Sequence, residues 1–339
     1  MKFHLYSTLS SLGQIMLNKK HLVTCTLCTF ILTGCGGSSS DNSNDNMPLP
    51  SFSLSVSDAP VDDLTEVVIC FNQIELKSSG GDAVFTIGNE SGMIATNDLC
   101  LDNDGSVIPN TVGIDLKQYT GSDSIALIEG ISIAAGDYTQ LRLLMSDGSY
   151  GTDAQTNEKI TISVPSNELK LDAFTATLGG TVDFTLEFDL NKAMTNPVGQ
   201  AGYFLKPRGV RLVNNNEAGH IEGTVSETLL LNNQCTPLSD SSVNVASVYM
   251  YDGSNVAIDT LEDNGGDENK SLPYTSTAVT FDSEQTSYNF EIGFIKAGDY
   301  TIAVSCDIED DPEIDEEINF ITSQNVTVLA GSSPVQVNF

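Results

Sequence analysis

Residues 181–190 read TVDFTLEFDL. Val182, Phe184, Leu186, Phe188 and Leu190 fall on one side of a period of two, and Thr181, Asp183, Thr185, Glu187 and Asp189 on the other. This is the period of a strand with one face in a core and the other toward water. The alternation returns in FSLSV (Phe52, Leu54, Val56), QLRLLM (Leu141, Leu143, Met145) and KITISV (Ile160, Ile162, Val164). EVVICF, at 66–71, is apolar on both faces and reads as an interior strand. Gly, Asn, Asp and Pro punctuate these runs, and no long stretch carries a 3.6 period. The pattern predicts an all-β chain of tandem β-sandwiches.

The pentapeptide AGDYT occurs at Ala135–Thr139 and again at Ala297–Thr301, 162 residues later, which is about one domain. Its Gly permits a turn that residues with a Cβ resist. The Asp can bond backbone groups of that turn, and the Tyr begins the next strand with a ring to bury and a hydroxyl to satisfy. Leu141 and Leu143 follow in one copy, Ile302 and Val304 in the other. AGDYT therefore reads as a loop-to-strand corner used once per sandwich; the alternative is a duplicated ligand site.

Residues 1–34 have the layout of an export signal. Lys19 and Lys20 precede an uncharged apolar run of 11 residues, Leu22–Leu32, too short to span a bilayer. A start at Met16 would give a compact leader. The run ends in Leu32-Thr33-Gly34-Cys35, which resembles the lipobox of bacterial lipoproteins. That resemblance implies cleavage before Cys35, lipidation of its thiol and anchoring by several acyl chains; an ordinary secretory signal is the alternative. Residues 35–50 lack aromatics and are rich in Gly, Ser, Asn and Asp, the composition of a flexible tether. Gly36 stands where an Asp would resemble an inner-membrane retention signal, so the outer membrane, facing the cell surface, is the expected location.

The whole chain has a formal charge of −32. Removing the three leader lysines, Lys2, Lys19 and Lys20, leaves 11 basic against 46 acidic residues, a charge of −35. Such a surface argues against nucleic acid and against adsorption to anionic lipid. Cys25 and Cys28 leave with the leader and Cys35 takes the lipid. Cys70, Cys100, Cys235 and Cys306 remain, an even set in an exported chain, for which two disulfides are expected. Three pairings are open. Pairing within each half, Cys70–Cys100 and Cys235–Cys306, is the expectation.

VSDAPVDDLTEVVICFNQIELK (56–77), GIDL (113–116), AAGDYTQLRLLMSDGSYG, VPSNELKL (164–171), FTLEFDL (184–190) and GYFLKPRGVRLV (202–213) occur in this order. Together they resemble the domain of unknown function 4382 of bacterial lipoproteins, over residues 51–213. The resemblance implies a lipid-anchored β-sandwich and transfers no functional residue. HIEGTV, VNVASVYMYDG and YNFEIGFIKAGDYTIAVSC resemble prealbumin-like, carboxypeptidase regulatory-like sandwiches, over residues 219–339. NNNEAG (214–219) reads as the boundary. All three arginines, Arg142, Arg208 and Arg211, lie before it, with ion pairs to strand-face acids such as Asp183 or Glu187 expected.

Little catalytic chemistry survives composition. His220 is the one histidine outside the leader, opens a strand and has no serine motif beside it. A histidine zinc site is excluded, and disulfide-bonded cysteines supply no thiolates. Carboxylate-pair hydrolysis remains, but needs a cleft, and the chain has no tryptophan to stack a sugar. Calcium is the one cofactor left open. DLCLDNDGS places Asp98, Asp102 and Asp104 beside a glycine without an EF-hand register, and DIEDDPEIDEE (307–317) is a denser acidic run. The sequence thus predicts a membrane-anchored, non-catalytic surface module for binding, adhesion or structure, with an extracellular or envelope ligand. A periplasm-facing accessory lipoprotein is the first alternative and a carboxylate hydrolase the second.

Overall fold

The computed structural model describes residues 47–59, 64–197, 199–241, 243–308, 310–331 and 333–339. The leader, Cys35 and residues 35–46 of the tether lie outside the described residues. Residues 46–339 form one compact unit.

The order of strands is β1 (Ser51–Ala59), β2 (Leu64–Ser78), β3 (Ala83–Thr86), β4 (Val112–Asp115), β5 (Ile125–Ser132), β6 (Gly136–Met145), β7 (Tyr150–Asp153), β8 (Lys159–Ser163), β9 (Glu168–Leu171), β10 (Phe174–Ala176) and β11 (Thr181–Asp189). A single turn of helix, α1 (Leu190–Ala193), precedes β12 (Met194–Thr195), β13 (Tyr203–Leu205), β14 (Val210–Asn214) and β15 (Ala218–Val225). Helix α2 (Glu227–Asn232) leads to β16 (Asn244–Asp252), β17 (Thr275–Asp282), β18 (Ser287–Lys296), β19 (Gly298–Ser305), β20 (Phe320–Val328) and β21 (Val335–Asn338).

The first half is a two-sheet sandwich. One sheet runs β14-β11-β1-β5, with β1 and β11 parallel. The other is a ten-stranded sheet built on the long β2, which pairs with β3, β4, β6 and β7. Phe52, Leu54, Val56, Phe184, Leu186 and Phe188 from the smaller sheet meet Val67, Ile69, Phe71, Leu141 and Leu143 from the larger in one core. Each fully buried side chain of this size contributes roughly 1.5–3 kcal/mol. The opposite face of β2 is buried as well. There Val68 and Cys70 pack with Cys100 and Tyr150, so the 66–71 run is apolar on both sides.

The second half is a single seven-stranded sheet, β20-β19-β16-β17-β18-β15-β21, with every pairing antiparallel except the parallel β15–β21. Ile221, Val248, Met250, Ile292, Ile302 and Val304 form its core. Its two edge strands approach each other, and Gln324 Nε2 donates to Asn338 O at 3.2 Å. The two layers here belong to one curled sheet.

The sequence places Thr185, Glu187 and Asp189 on a water-facing side of β11. In the structure these three residues are 0–1% exposed. The reason is that the second half lies over this face: Thr275 at the start of β17 donates its hydroxyl to Asp189 Oδ2 at 2.8 Å. Val213, Ala218 and Phe294 form a small apolar cluster across the same junction. Backbones also meet there. A Cβ on Gly293 of β18 would stand 1.6 Å from Gly121 O, so only glycine fits. The boundary segment is pinned: Asn215 N donates to Asp183 O at 3.0 Å, and Thr185 Oγ1 to Asn215 Oδ1 at 2.9 Å.

Candidate functional site

The two AGDYT copies build the same corner. Tyr138 donates its hydroxyl to Ala134 O at 2.9 Å, and Tyr300 to Lys296 O at 2.7 Å, four residues upstream in each case. Both rings are buried. The Asp departs from the backbone role the sequence assigns it. Asp137 accepts from Thr175 Oγ1 at 2.7 Å and Asp299 from Thr327 Oγ1 at 2.6 Å, each threonine being the residue directly opposite on the neighbouring strand. The repeated pentapeptide ties a tyrosine to its own approach loop and an aspartate to the adjoining strand.

The strongest electrostatic feature is the junction between the halves. Glu187 and Asp189 of β11 point toward the second half, while Asp58, the residue of β1 opposite Phe188, is 0% exposed. Arg211 of β14 stands directly opposite Glu187 in the ladder. Its Nη1 lies 3.8 Å from Asp189 Oδ2 and 3.4 Å from Tyr274 O, and its guanidinium sits over the Tyr274 ring at 4.7 Å. Lys192 of α1 reaches across to Pro273 O at 3.0 Å. Asp189 also caps α1, accepting from Lys192 N at 3.2 Å.

Burial dominates this chemistry. Loss of water pushes the Glu187 carboxyl up to about 8 against the pull of Arg211. Burial, then the Glu187 charge, raises Asp58 well above the carboxylate range, and burial raises Asp189. Both oxygens of Asp58 and Oε2 of Glu187 accept no hydrogen bond. Desolvated acids of this kind are what a carboxylate hydrolase would use, but such an enzyme needs a cleft that admits substrate. Here the three acids are sealed from solvent, and Glu187 and Asp189, with Arg211, act as a polar seam joining the halves.

The cysteines pair as Cys70–Cys100 and Cys235–Cys306, one bond in each half. Two of the three arginines face strand acids as the sequence suggests, Arg211 standing opposite Glu187, while Asp183 is not an arginine's partner. Arg142 pairs with Glu168 at 3.2 Å and Arg211 faces Asp189, while Asp183 accepts from Asn215 Nδ2 at 3.0 Å. Arg208 Nε donates to Lys192 O at 3.1 Å. His220 Nδ1 accepts from Phe294 N at 3.2 Å with its ring edge-on to that phenyl, and burial lowers its pKa.

Asp98, Asp102 and Asp104 lie on an exposed loop. Asp102 Oδ1 accepts from Asp104 N at 2.9 Å and Ser106 N at 2.8 Å, so this carboxylate is held by its own turn. Among the described residues, carboxylates close enough to share one ion gather in the second half, from residues 262–263 and 310–316. The 307–317 run signalled half of that group. Nothing in sequence spacing signalled residues 262–263, which lie 47 or more positions before its nearest member, Asp310.

The fold is a nearly all-β, multi-sheet architecture. Residues 50–207 match the family described as Domain of unknown function (DUF4382). No curated protein matches the chain. Among solved structures, the Bacillus anthracis TIE protein is 10% identical at a TM-score of 0.18, over 86% of this chain and 34% of its own. This chain therefore spans about a third of that protein's length. A DUF3823 family protein from Bacteroides ovatus is 11% identical at 0.15, over 82% of this chain and 99% of its own. A fimbrial protein from Bacteroides ovatus is 8% identical at 0.15, over 87% and 51%. TM-scores this low carry no argument about function.

Proposed function

We propose that the chain is an exported bacterial lipoprotein, anchored through Cys35, whose two joined sandwiches serve as a non-catalytic binding or structural module at the outer surface of the cell. The observation that carries this reading is the pair of disulfides, one in each half. Such bonds persist in oxidising compartments outside the cytosol. The leader and the Leu-Thr-Gly-Cys stretch supply the route out and the anchor. The strongly acidic exterior keeps the module off anionic lipid, so the acyl chains alone hold it to the membrane.

The test has two parts. In fractionated cells the wild-type chain sediments with membranes, and Cys35→Ala releases it to the soluble fraction; a variant that stays membrane-bound overturns the anchor. In intact cells an external protease cleaves the chain while a periplasmic control survives. Protection until the outer membrane is opened would refute surface exposure and favour the periplasm-facing reading.

A further inference from the structure

The second half carries a cluster of acids that the seam and the anchor do not use. Its parts come from two long loops: residues 262–270, EDNGGDENK, between β16 and β17, and residues 307–317 between β19 and β20. Carboxylate oxygens of Glu262, Asp263 and Asp315 lie within 4.8 Å of one another, and so do those of Asp263, Asp310 and Glu316. Two oxygens bound to one Ca²⁺ at 2.3–2.6 Å stand up to about 5 Å apart, so either set fits a single ion.

A crowd of acids alone is no site, and the decisive residue is Asp263. It is 0% exposed, and its Oδ1 is buried without any hydrogen-bond donor. Its Oδ2 is used, accepting from Glu316 N at 2.6 Å. The free oxygen faces the cluster: a Cβ on Gly266 would stand 2.7 Å from Asp263 Oδ1 and 2.8 Å from Glu262 Oε2. Gly266 thus keeps open the space between these two oxygens. Asn264 Oδ1, one residue on, is likewise buried without a donor. A buried acceptor with no partner is costly, more so when charged, and a cation removes that cost.

We propose that this cluster is a Ca²⁺ site, with Asp263 Oδ1, Glu262 and Asp315 as protein ligands and Glu316 and Asp310 adding charge behind them. The donors are all oxygen and come from irregular loops. That set suits calcium better than zinc, which prefers nitrogen and sulfur, or magnesium, which demands a stricter octahedron. Asp315 is exposed, and a cleft of about 580 Å³ lined by Glu262, Lys270, Asp315 and Glu316 gives the ion a way in. Lys270 pairs with Glu262 and is half exposed, so its ammonium can swing out as the ion enters. Asp310 is braced for its role by Tyr249, whose hydroxyl donates to it at 2.9 Å, and by Asn264 Nδ2 at 2.8 Å. The bound ion would cross-link the 262–270 and 307–317 loops, which already touch where Gly265 lies against Ile314 O.

The test is equilibrium dialysis of the purified full chain in detergent against radioactive calcium. Wild type takes up one ion per chain, saturating at or below the millimolar range of extracellular calcium modules. Asp315→Asn, at an exposed position that leaves the fold intact, weakens uptake at least about tenfold, as does Asp263→Asn. Asp102→Asn, in the other acidic loop, leaves it unchanged. The proposal is overturned by no saturable uptake up to about 10 mM calcium, by wild-type affinity in Asp315→Asn, or by loss of uptake in Asp102→Asn.

Discussion

Replacing Glu187 by glutamine isolates the charge held in the seam between the halves. The wild-type carboxyl is pushed up to about 8 in the fold, against 4.5 for an exposed glutamate. The folded state therefore holds a proton that the unfolded state has lost. Stability from this group is fully present below pH 4.5 and declines as pH rises toward 8. With about 1.4 kcal/mol per unit, the decline between pH 5 and pH 7.5 comes to about 3 kcal/mol. Glutamine has nothing to ionise and escapes this loss. The assay is urea unfolding of both proteins at the two pH values. Near pH 5 the midpoints lie close together. At pH 7.5 the variant is the more stable by about 3 kcal/mol, or about 1 M urea for a chain of this size. A gap that does not widen with pH would mean that Glu187 is ionised in the fold and fully compensated by Arg211, and the desolvation account would fail.

Removing either disulfide as a Cys→Ala pair costs about 4 kcal/mol in the loop-entropy view, from sequence separations of 30 and 71, read as a lower urea midpoint. Unchanged midpoints under reducing conditions would contradict it. Tyr138→Phe and Tyr300→Phe each cost about 1 kcal/mol, with equal effects because both lose the same hydrogen bond to a carbonyl four residues back. Gly293→Ala drives a methyl into Gly121 O and costs about 3 kcal/mol, with new protease cleavage at Asn215–Glu217 as the halves part. Resistance equal to wild type there would show that the junction is not held by this contact.

The strands were legible because their apolar residues repeat every second position, and β11 shows both the reach and the limit of that signal. Phe184, Leu186 and Phe188 enter the core the period assigns them. Thr185, Glu187 and Asp189 read as solvent-facing because a polar side chain does not declare what will cover it, and here the covering element begins 86 residues after Asp189, at Thr275. The cysteines were easier, since pairing within halves needs only a division of the chain. The AGDYT corner was legible as a turn and a strand start. Its threonine partners were not, because they sit 38 and 28 residues away at no common spacing. The acidic groups differ in how far sequence reveals them. Asp98–Asp104 reads as a loop for an ion because its acids are adjacent in sequence, and in the fold Asp102 Oδ1 accepts from two amides of its own turn. Asp263 and Asp315 are neighbours only after folding.

The two halves share one feature of strand order. In each, the strand by which the chain enters lies parallel beside a strand that comes late: β1 beside β11, and β15 beside β21. A pull between the start of an entering strand and the end of its parallel partner slides one past the other. Every rung of the ladder then bears load at once, whereas an antiparallel hairpin pulled at its open end unzips rung by rung. A load applied between the Asn215–Glu217 crossing and the end of β21 therefore meets such a sliding contact in β15 on β21, whereas the first half is left through β14, whose Asn214 end lies at the end of the sheet where β1 begins. The order of the strands makes this a mechanical coupling, one that carries tension along the second half.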